Sequence, residues 1–256
     1  MTVPTPPARQ TESASTPDLH DLTMPRHVAV IMDGNGRWAQ AQGMPRVEGH
    51  RRGAETVERI VTESRKLGIE VLTLYSFSTE NWKRPKEEID FLMKLCVEHL
   101  QSQREKLVRN NIRFRHVGRT EGLPESVLHE MEKSREATRD CDGMTLCLAL
   151  NYGAREEILD ATRRIAERAR NGELDPATID EATFASELST HDLPDPDLLL
   201  RTAGEMRISN FLLWQISYAE LIVTKTLWPD FQTEDFHEIL RRFADRERRF
   251  GGLDKG

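Results

Sequence analysis

Asp33-Gly34-Asn35-Gly36-Arg37 puts a carboxylate directly before two glycines, with an arginine closing the turn. Glycine lets a backbone approach a ligand closely and adopt positive φ. If a helix starts near Gly36, its free N–H groups offer an anion site. A carboxylate in that place repels a bare phosphate, so its presence needs a third partner. A magnesium ion bridging Asp33 and a pyrophosphate supplies one, since that ion takes hard oxygen ligands. The same five residues also spell an ordinary Asp-Gly turn. They form neither a GxGxxG fingerprint nor a Walker loop.

A second group is RTAGEMRIS, Arg201 to Ser209, with Glu220 eleven residues beyond it. Two arginines and a serine around a glycine can clamp a pyrophosphate, because the planar guanidinium binds such oxygens in pairs. The competing reading is a solvated loop with a Glu205–Arg207 pair. Glu220 opens an apolar run, an odd place for an unpaired acid, and calls for a metal or an arginine partner. The third group, Tyr75 to Pro85, hands a strand over to Ser78, Thr79, Glu80, Asn81, Trp82 and Arg84. This polar loop with one large aromatic suits closure over a ligand; a capped turn with Trp82 packed into the core fits equally well.

The elements that position these groups alternate. Apolar, β-branched runs predict strands at His27–Met32, Val71–Phe77, Ile112–Val117, Met144–Leu150, Asp197–Leu200 and Leu221–Thr224. Helical patterns lie at Gly53–Leu67, Glu87–Asn110, Glu125–Arg139, Ala154–Asn171, Ile179–Leu188 and Glu234–Arg248. In the second of these, Ile89, Leu92, Met93, Cys96, Val97 and Leu100 share one apolar face. Alternation of this kind means an α/β domain with a six-stranded, mainly parallel sheet flanked by helices. Ligands of such sheets bind outside the carboxyl ends of the strands. Asp33, Ser78 and Arg201 each follow a predicted strand, so one rim can hold all three.

The chain has 256 residues, 38% hydrophobic and 31% charged, with net charge −7, a balance that argues against general nucleic-acid binding. Between Asp33 and Gly53, however, Arg37, Arg46, Arg51 and Arg52 outnumber Asp33 and Glu48, which suggests a small anionic ligand. No apolar run approaches the ~20 residues of a membrane helix. Residues 1–24 are rich in Pro, Thr and Ser and read as a disordered tail before a domain at 25–256. Three cysteines without metal-type spacing read as reduced thiols in a cytoplasmic protein.

The segments HVAVIMDGNGRWA, GHRRGAE, YSFSTENWKRP, NYGAREEI, LLRTAGEMRISNFLLWQISYAEL and LWPDF, in this order from about residue 25 to 251, resemble the cis-prenyltransferases, bacterial undecaprenyl diphosphate synthases in particular. The resemblance implies a homodimer that condenses isopentenyl diphosphate onto an allylic diphosphate such as farnesyl diphosphate, with magnesium as cofactor. It places the catalytic, metal-binding aspartate on Asp33 and the allylic cradle on Gly34, Asn35, Gly36 and Arg37, with Trp38, Arg46 and His50 nearby. The serine–glutamate–asparagine loop falls on Ser78, Thr79, Glu80 and Asn81, with Trp82 and Arg84 following. The isopentenyl clamp falls on Arg201, Arg207, Ile208 and Ser209, and a second metal carboxylate on Glu220. Arg249, Phe250 and Gly251 resemble a C-terminal segment that reaches the partner subunit. Met206 stands where some members carry a histidine that touches the metal. Peripheral membrane contact at product release is compatible with this activity.

A non-catalytic partner subunit of the same fold is disfavoured because Asp33, Asn81, Arg201 and Glu220 are all retained. A doubly wound nucleotide-binding enzyme lacks its fingerprints here. A trans-type synthase needs Asp-Asp-x-x-Asp motifs that the sequence does not contain.

Overall fold

His27–Ile31 form β1, every residue of it buried, the strand around which the sheet is assembled. The computed structural model describes Leu19 and residues 22–246. The proposed tail therefore lies almost wholly outside the described residues, as do Arg249, Phe250 and Gly251.

After β1 come α1 (Asn35–Ala41), α2 (Arg46–Lys66), β2 (Val71–Ser78), α3 (Lys86–Arg109), β3 (Ile112–Val117), α4 (Glu125–Ala137), β4 (Met144–Tyr152) and α5 (Ala154–Arg170). The short α6 (Glu181–Ala185), then β5 (Leu198–Arg201), β6 (Glu220–Val223) and α7 (Thr233–Ala244) complete the order. The sheet runs β3-β4-β2-β1-β5-β6, and all of its pairings are parallel.

Alternation along β1 divides the core. Val28 and Val30 join the side chains of α2, α3, α4 and α7, among them Ile60, Met93, Val127 and Phe236. Ala29 and Ile31 face the other way, towards Ala154 of α5 and the Phe211–Leu212 segment. Two covered faces explain why the central strands read as continuous apolar runs.

The sequence expectation of alternating strands and helices holds, with shifts of boundary. Ser78 and Arg201 are the last residues of their strands, and Glu220 is the first of β6. The helix expected from Gly53 begins at Arg46. Gly49 and Gly53 weaken the helical pattern there, yet Pro45 starts the helix and the glycines serve contact with α1. A Cβ at Gly49 would stand 1.9 Å from the Asn35 carbonyl oxygen. The helix expected at Ile179–Leu188 shrinks to Glu181–Ala185, capped by Asp180 accepting from the Thr183 N–H at 2.8 Å. The last helix ends at Ala244; 247–248 of the expected span lie outside the described residues.

Gly49→Ala is accordingly expected to push α1 off α2. Overpacking of this kind costs about 1–3 kcal/mol, and the backbone atom opposite cannot rotate away. A thermal melt unchanged to within about 1 °C would contradict so close an approach, given the roughly 2–4 °C per kcal/mol of a chain this size.

Candidate active site

The carboxyl ends of β1, β2 and β5 bring Asp33, Ser78 and Arg201 to one cavity of about 410 Å³. Its mouth also carries Asn35, His50, Asn81, Arg84, Arg207 and Ser209. Its walls are apolar, with Val57, Leu74, Leu92, Met93, Cys96, Leu100 and Leu148 between the sheet and helices α2 and α3. A smaller cavity of about 60 Å³ shares Val57, Leu74, His99, Leu100 and Leu148 and continues to Leu146, Glu58 and Lys106. A charged mouth over an apolar channel fits an amphiphile with an anionic head and a hydrocarbon tail.

Asp33 is fixed from several sides. Its backbone N–H donates to the Thr202 hydroxyl at 2.9 Å, and its carbonyl accepts from that hydroxyl at 2.7 Å and from the Trp228 N–H at 3.0 Å. Its carboxylate accepts from Arg201 Nη2 at 2.8 Å and from the Gly34 N–H at 2.7 Å; Arg37 stands 3.6 Å away. Burial pushes the Asp33 carboxyl up, but the Arg201 hydrogen bond and charge, the Gly34 N–H and Arg37 outweigh it. The result is a carboxyl held below its ordinary range, ionised at neutral pH.

Gly34 takes φ +106°, and a Cβ there would meet Leu227 at 2.9 Å, so the turn needs glycine. The Arg46 guanidinium lies over Gly36, 2.6 Å from where a Cβ would stand. Arg201 is 3% exposed. It donates to Ser209 Oγ at 2.8 Å and to the Arg207 carbonyl, so β5 carries the guanidinium that organises its own following loop. That loop is strained: Ala203, Ser209, Asn210 and Leu212 all have positive φ. Tyr75 supports it by donating to the Ser209 carbonyl at 3.2 Å and stacking on Phe211 at 4.3 Å.

Three buried polar atoms of residues at this mouth have no hydrogen-bond partner: Arg201 Nε, His50 Nε2 and Asn35 Oδ1. Buried donors and acceptors are rarely left unmet, so they point to a polar ligand. His50 is pulled down to about 4 by burial, then by the Arg84 and Arg46 charges against the opposing pull of Glu88, so it is neutral at pH 7.

Other expected residues stand elsewhere. Trp38 donates to Asp230 at 2.7 Å and does not line the cavity. Trp82 packs edge-on against Phe77 at 5.0 Å and donates to Asn151 at 2.7 Å, which is the packed alternative. Thr79 and Glu80 turn outward, Glu80 accepting from Asn210 at 2.9 Å, and Ile208 packs against the core on the opposite face of the sheet. Glu220 is level with Leu198, which is level with Val28. It therefore sits at the opposite rim from Asp33 and pairs with Arg246. Of the two partners its position called for, the chain supplies the arginine, and within one chain Glu220 does not share a metal with Asp33. Met206 is 81% exposed. Sequence reading gave no role to Thr202, Tyr75 or Glu88; Thr202 adjoins Arg201 at the end of β5, and Tyr75 opens the third group, inside β2.

The family model described as "Putative undecaprenyl diphosphate synthase" matches residues 31–251. The chain belongs to this prenyltransferase family. It is 52% identical to the isoprenyl transferase of Thermotoga maritima over 235 residues, covering 92% of this chain and all of the relative. With the isoprenyl transferase of Bacillus subtilis it shares 47% over 246 residues, 96% of this chain and 95% of the relative. Among solved structures it is similar to lavandulyl diphosphate synthase from Lavandula x intermedia in complex with dimethylallyl diphosphate, with TM-score 0.88 and 39% identity over 90% of this chain and 99% of that one. It is also similar to a probable undecaprenyl diphosphate synthase from Campylobacter jejuni, with TM-score 0.74 and 37% identity over 90% of this chain and all of that one. The prenyltransferase assignment accords with the all-parallel sheet and with an amphiphile-shaped cavity at its carboxyl rim.

Proposed function

We propose that the chain condenses isopentenyl diphosphate onto an allylic diphosphate with cis stereochemistry, building a long-chain polyprenyl diphosphate. The observation that carries this is the cavity with an arginine–carboxylate mouth and an apolar channel behind it. The allylic class is further supported by the dimethylallyl diphosphate held by the similar lavandulyl enzyme.

Arg46, His50, Arg84 and the Gly34–Arg37 turn receive the allylic diphosphate; Arg201, Arg207 and Ser209 hold isopentenyl diphosphate. The isopentenyl double bond attacks the allylic carbon as the carbon–oxygen bond to pyrophosphate breaks, and the adduct then loses a proton. Positive groups meet the charge growing on the departing pyrophosphate, which is where stabilisation lowers the barrier. Asn81 uses its amide oxygen to accept the Ser78 N–H at 3.1 Å. That supports an orienting role, with pyrophosphate or water taking the proton.

Magnesium fits the residues present: Asp33 offers a part-exposed, ionised carboxylate beside the diphosphate pocket, and this ion commonly uses one or two carboxylates together with substrate phosphates and water. When bound it would neutralise charge on the departing pyrophosphate. No group of three or more potential His, Cys, Asp or Glu ligands occurs among the described residues.

The same reading makes the protein a cytoplasmic homodimer supplying a lipid carrier for cell-wall synthesis. Leu221, in edge strand β6, and Tyr218, two residues before that strand and 69% exposed, offer a dimer contact. No helix among the described residues is long and apolar enough to cross a membrane. Peripheral contact remains the route by which product reaches one.

Chromatography of products from radiolabelled isopentenyl diphosphate with several allylic primers tests the proposal; no prenyl transfer with any primer would overturn it. The same assay reads the channel. Leu148, shared by both cavities, is expected as Leu148→Trp to shorten the product ladder while the first condensation persists. An unchanged ladder would take Leu148 out of the path of the tail.

A further inference from the structure

Glu88 lies in the first turn of α3, with its side chain 13% exposed. Its carboxylate faces two arginines and the neutral His50, from two other segments. Arg84 Nη1 donates to it at 3.0 Å, Arg46 Nε stands 3.6 Å away, and His50 Nε2 stands 3.8 Å away. Arg84 and His50 line the cavity, whereas Glu88 does not. Arg46 is likewise outside the lining but lies over Gly36 of the cradle, so Glu88 touches the cavity only through the side chains it contacts. It takes the Nε edge of Arg46 and leaves that guanidinium's other two nitrogens over Gly36.

We propose that Glu88 is a positioning residue for the allylic diphosphate, acting through Arg46, Arg84 and His50. This rests on the reading of those three as the diphosphate-binding groups. Arginine side chains lose much rotational freedom when they are fixed on a ligand, and a counter-ion that holds them beforehand removes that cost from binding. The planar fork also has to present its N–H groups in one plane, so orientation matters as much as charge. An isolated Arg84–Glu88 pair at a helix start would be a weak surface interaction. Two arginines converging on a largely covered carboxylate, with the neutral His50 imidazole beside them, are a different arrangement. A competing role, with Glu88 occupying the diphosphate's own place, is disfavoured because the carboxylate does not reach the cavity.

The test is Glu88→Gln in the full-length chain, which keeps shape and one acceptor and removes the charge. KM for the allylic diphosphate is expected to rise about tenfold, the scale of one charge-assisted hydrogen bond. KM for isopentenyl diphosphate should stay within about twofold, since Arg201 and Arg207 are not partners of Glu88. Because the effect runs partly through Arg84, the losses in Arg84→Gln and Glu88→Gln should be less than multiplicative in the double variant. Equal rises in both KM values, no rise in the allylic KM, or fully multiplicative losses would each overturn the proposal. If Glu88→Gln does not fold, Glu88→Asp carries the test, its withdrawn carboxylate raising the allylic KM alone. If the unmodified chain forms no prenyl product, the proposed function fails separately. Calorimetric binding of inorganic pyrophosphate then decides Glu88: about tenfold weaker binding in the variant supports it, and unchanged binding refutes it.

Discussion

Asp33→Ala is expected to leave the fold in place and remove most turnover, by roughly 10²–10³ or more in kcat, the scale set by one transition-state stabiliser. The backbone of Asp33 stays held through Thr202 and Trp228 whatever its side chain. The loss should therefore appear without a collapse in melting temperature. Burial of the Arg201 guanidinium without its counter-ion will cost some stability, and Asp33→Asn, which keeps an acceptor, separates that cost from the chemistry. A purified Asp33→Ala protein turning over within a few-fold of the unmodified chain would refute the assignment.

Arg201→Ala is the second large effect. It removes the clamp on isopentenyl diphosphate, costing about 1.5–3 kcal/mol for a charged hydrogen bond, or roughly ten- to a hundred-fold in affinity. It also deletes the group that does most to hold the Asp33 carboxyl down against burial. The Asp33 pKa must then rise. Since the ionised form is the useful one, the acidic limb of the pH–rate profile should move to higher pH. Arg207, whose side chain is 61% exposed and paired with Glu205 at 2.5 Å, should give a smaller loss and no such movement when replaced by alanine. Titration showing normal isopentenyl binding to Arg201→Ala, or an unmoved acidic limb, would contradict these roles.

What could be read from the sequence followed from how local each signal is. Buried strands declare themselves as runs such as Val71–Phe77, because both faces of a parallel sheet are covered. Strand ends then gave the rim that holds Asp33, Ser78 and Arg201. The start of α2 was hidden because Gly49 and Gly53 lower helical propensity while serving a tertiary contact that no local pattern shows. Glu220 was read by motif as a companion of Asp33, yet strand register puts it at the other rim. Register between strands far apart in sequence is not written in either one. Trp82 had two readings open, and the Asn151 side chain decides between them from 69 residues away. Glu88 was invisible for the same reason: only its Arg84 contact is local, and Arg46 and His50 arrive from another helix.

The strand order also has a kinetic consequence. β1 lies at the centre of the sheet, but its two neighbours are made at very different times: β2 soon after it, and β5 only at Leu198–Arg201. The Asp33–Arg201 bond spans 168 residues. Until β5 arrives, a largely apolar strand keeps one open edge, the sort of template on which other chains add. Loop closure over so long a span is slow compared with local structure. During synthesis the charged mouth must therefore be among the last parts of the molecule to assemble, and a nascent chain that stops short of Leu198 leaves that edge of β1 without its partner.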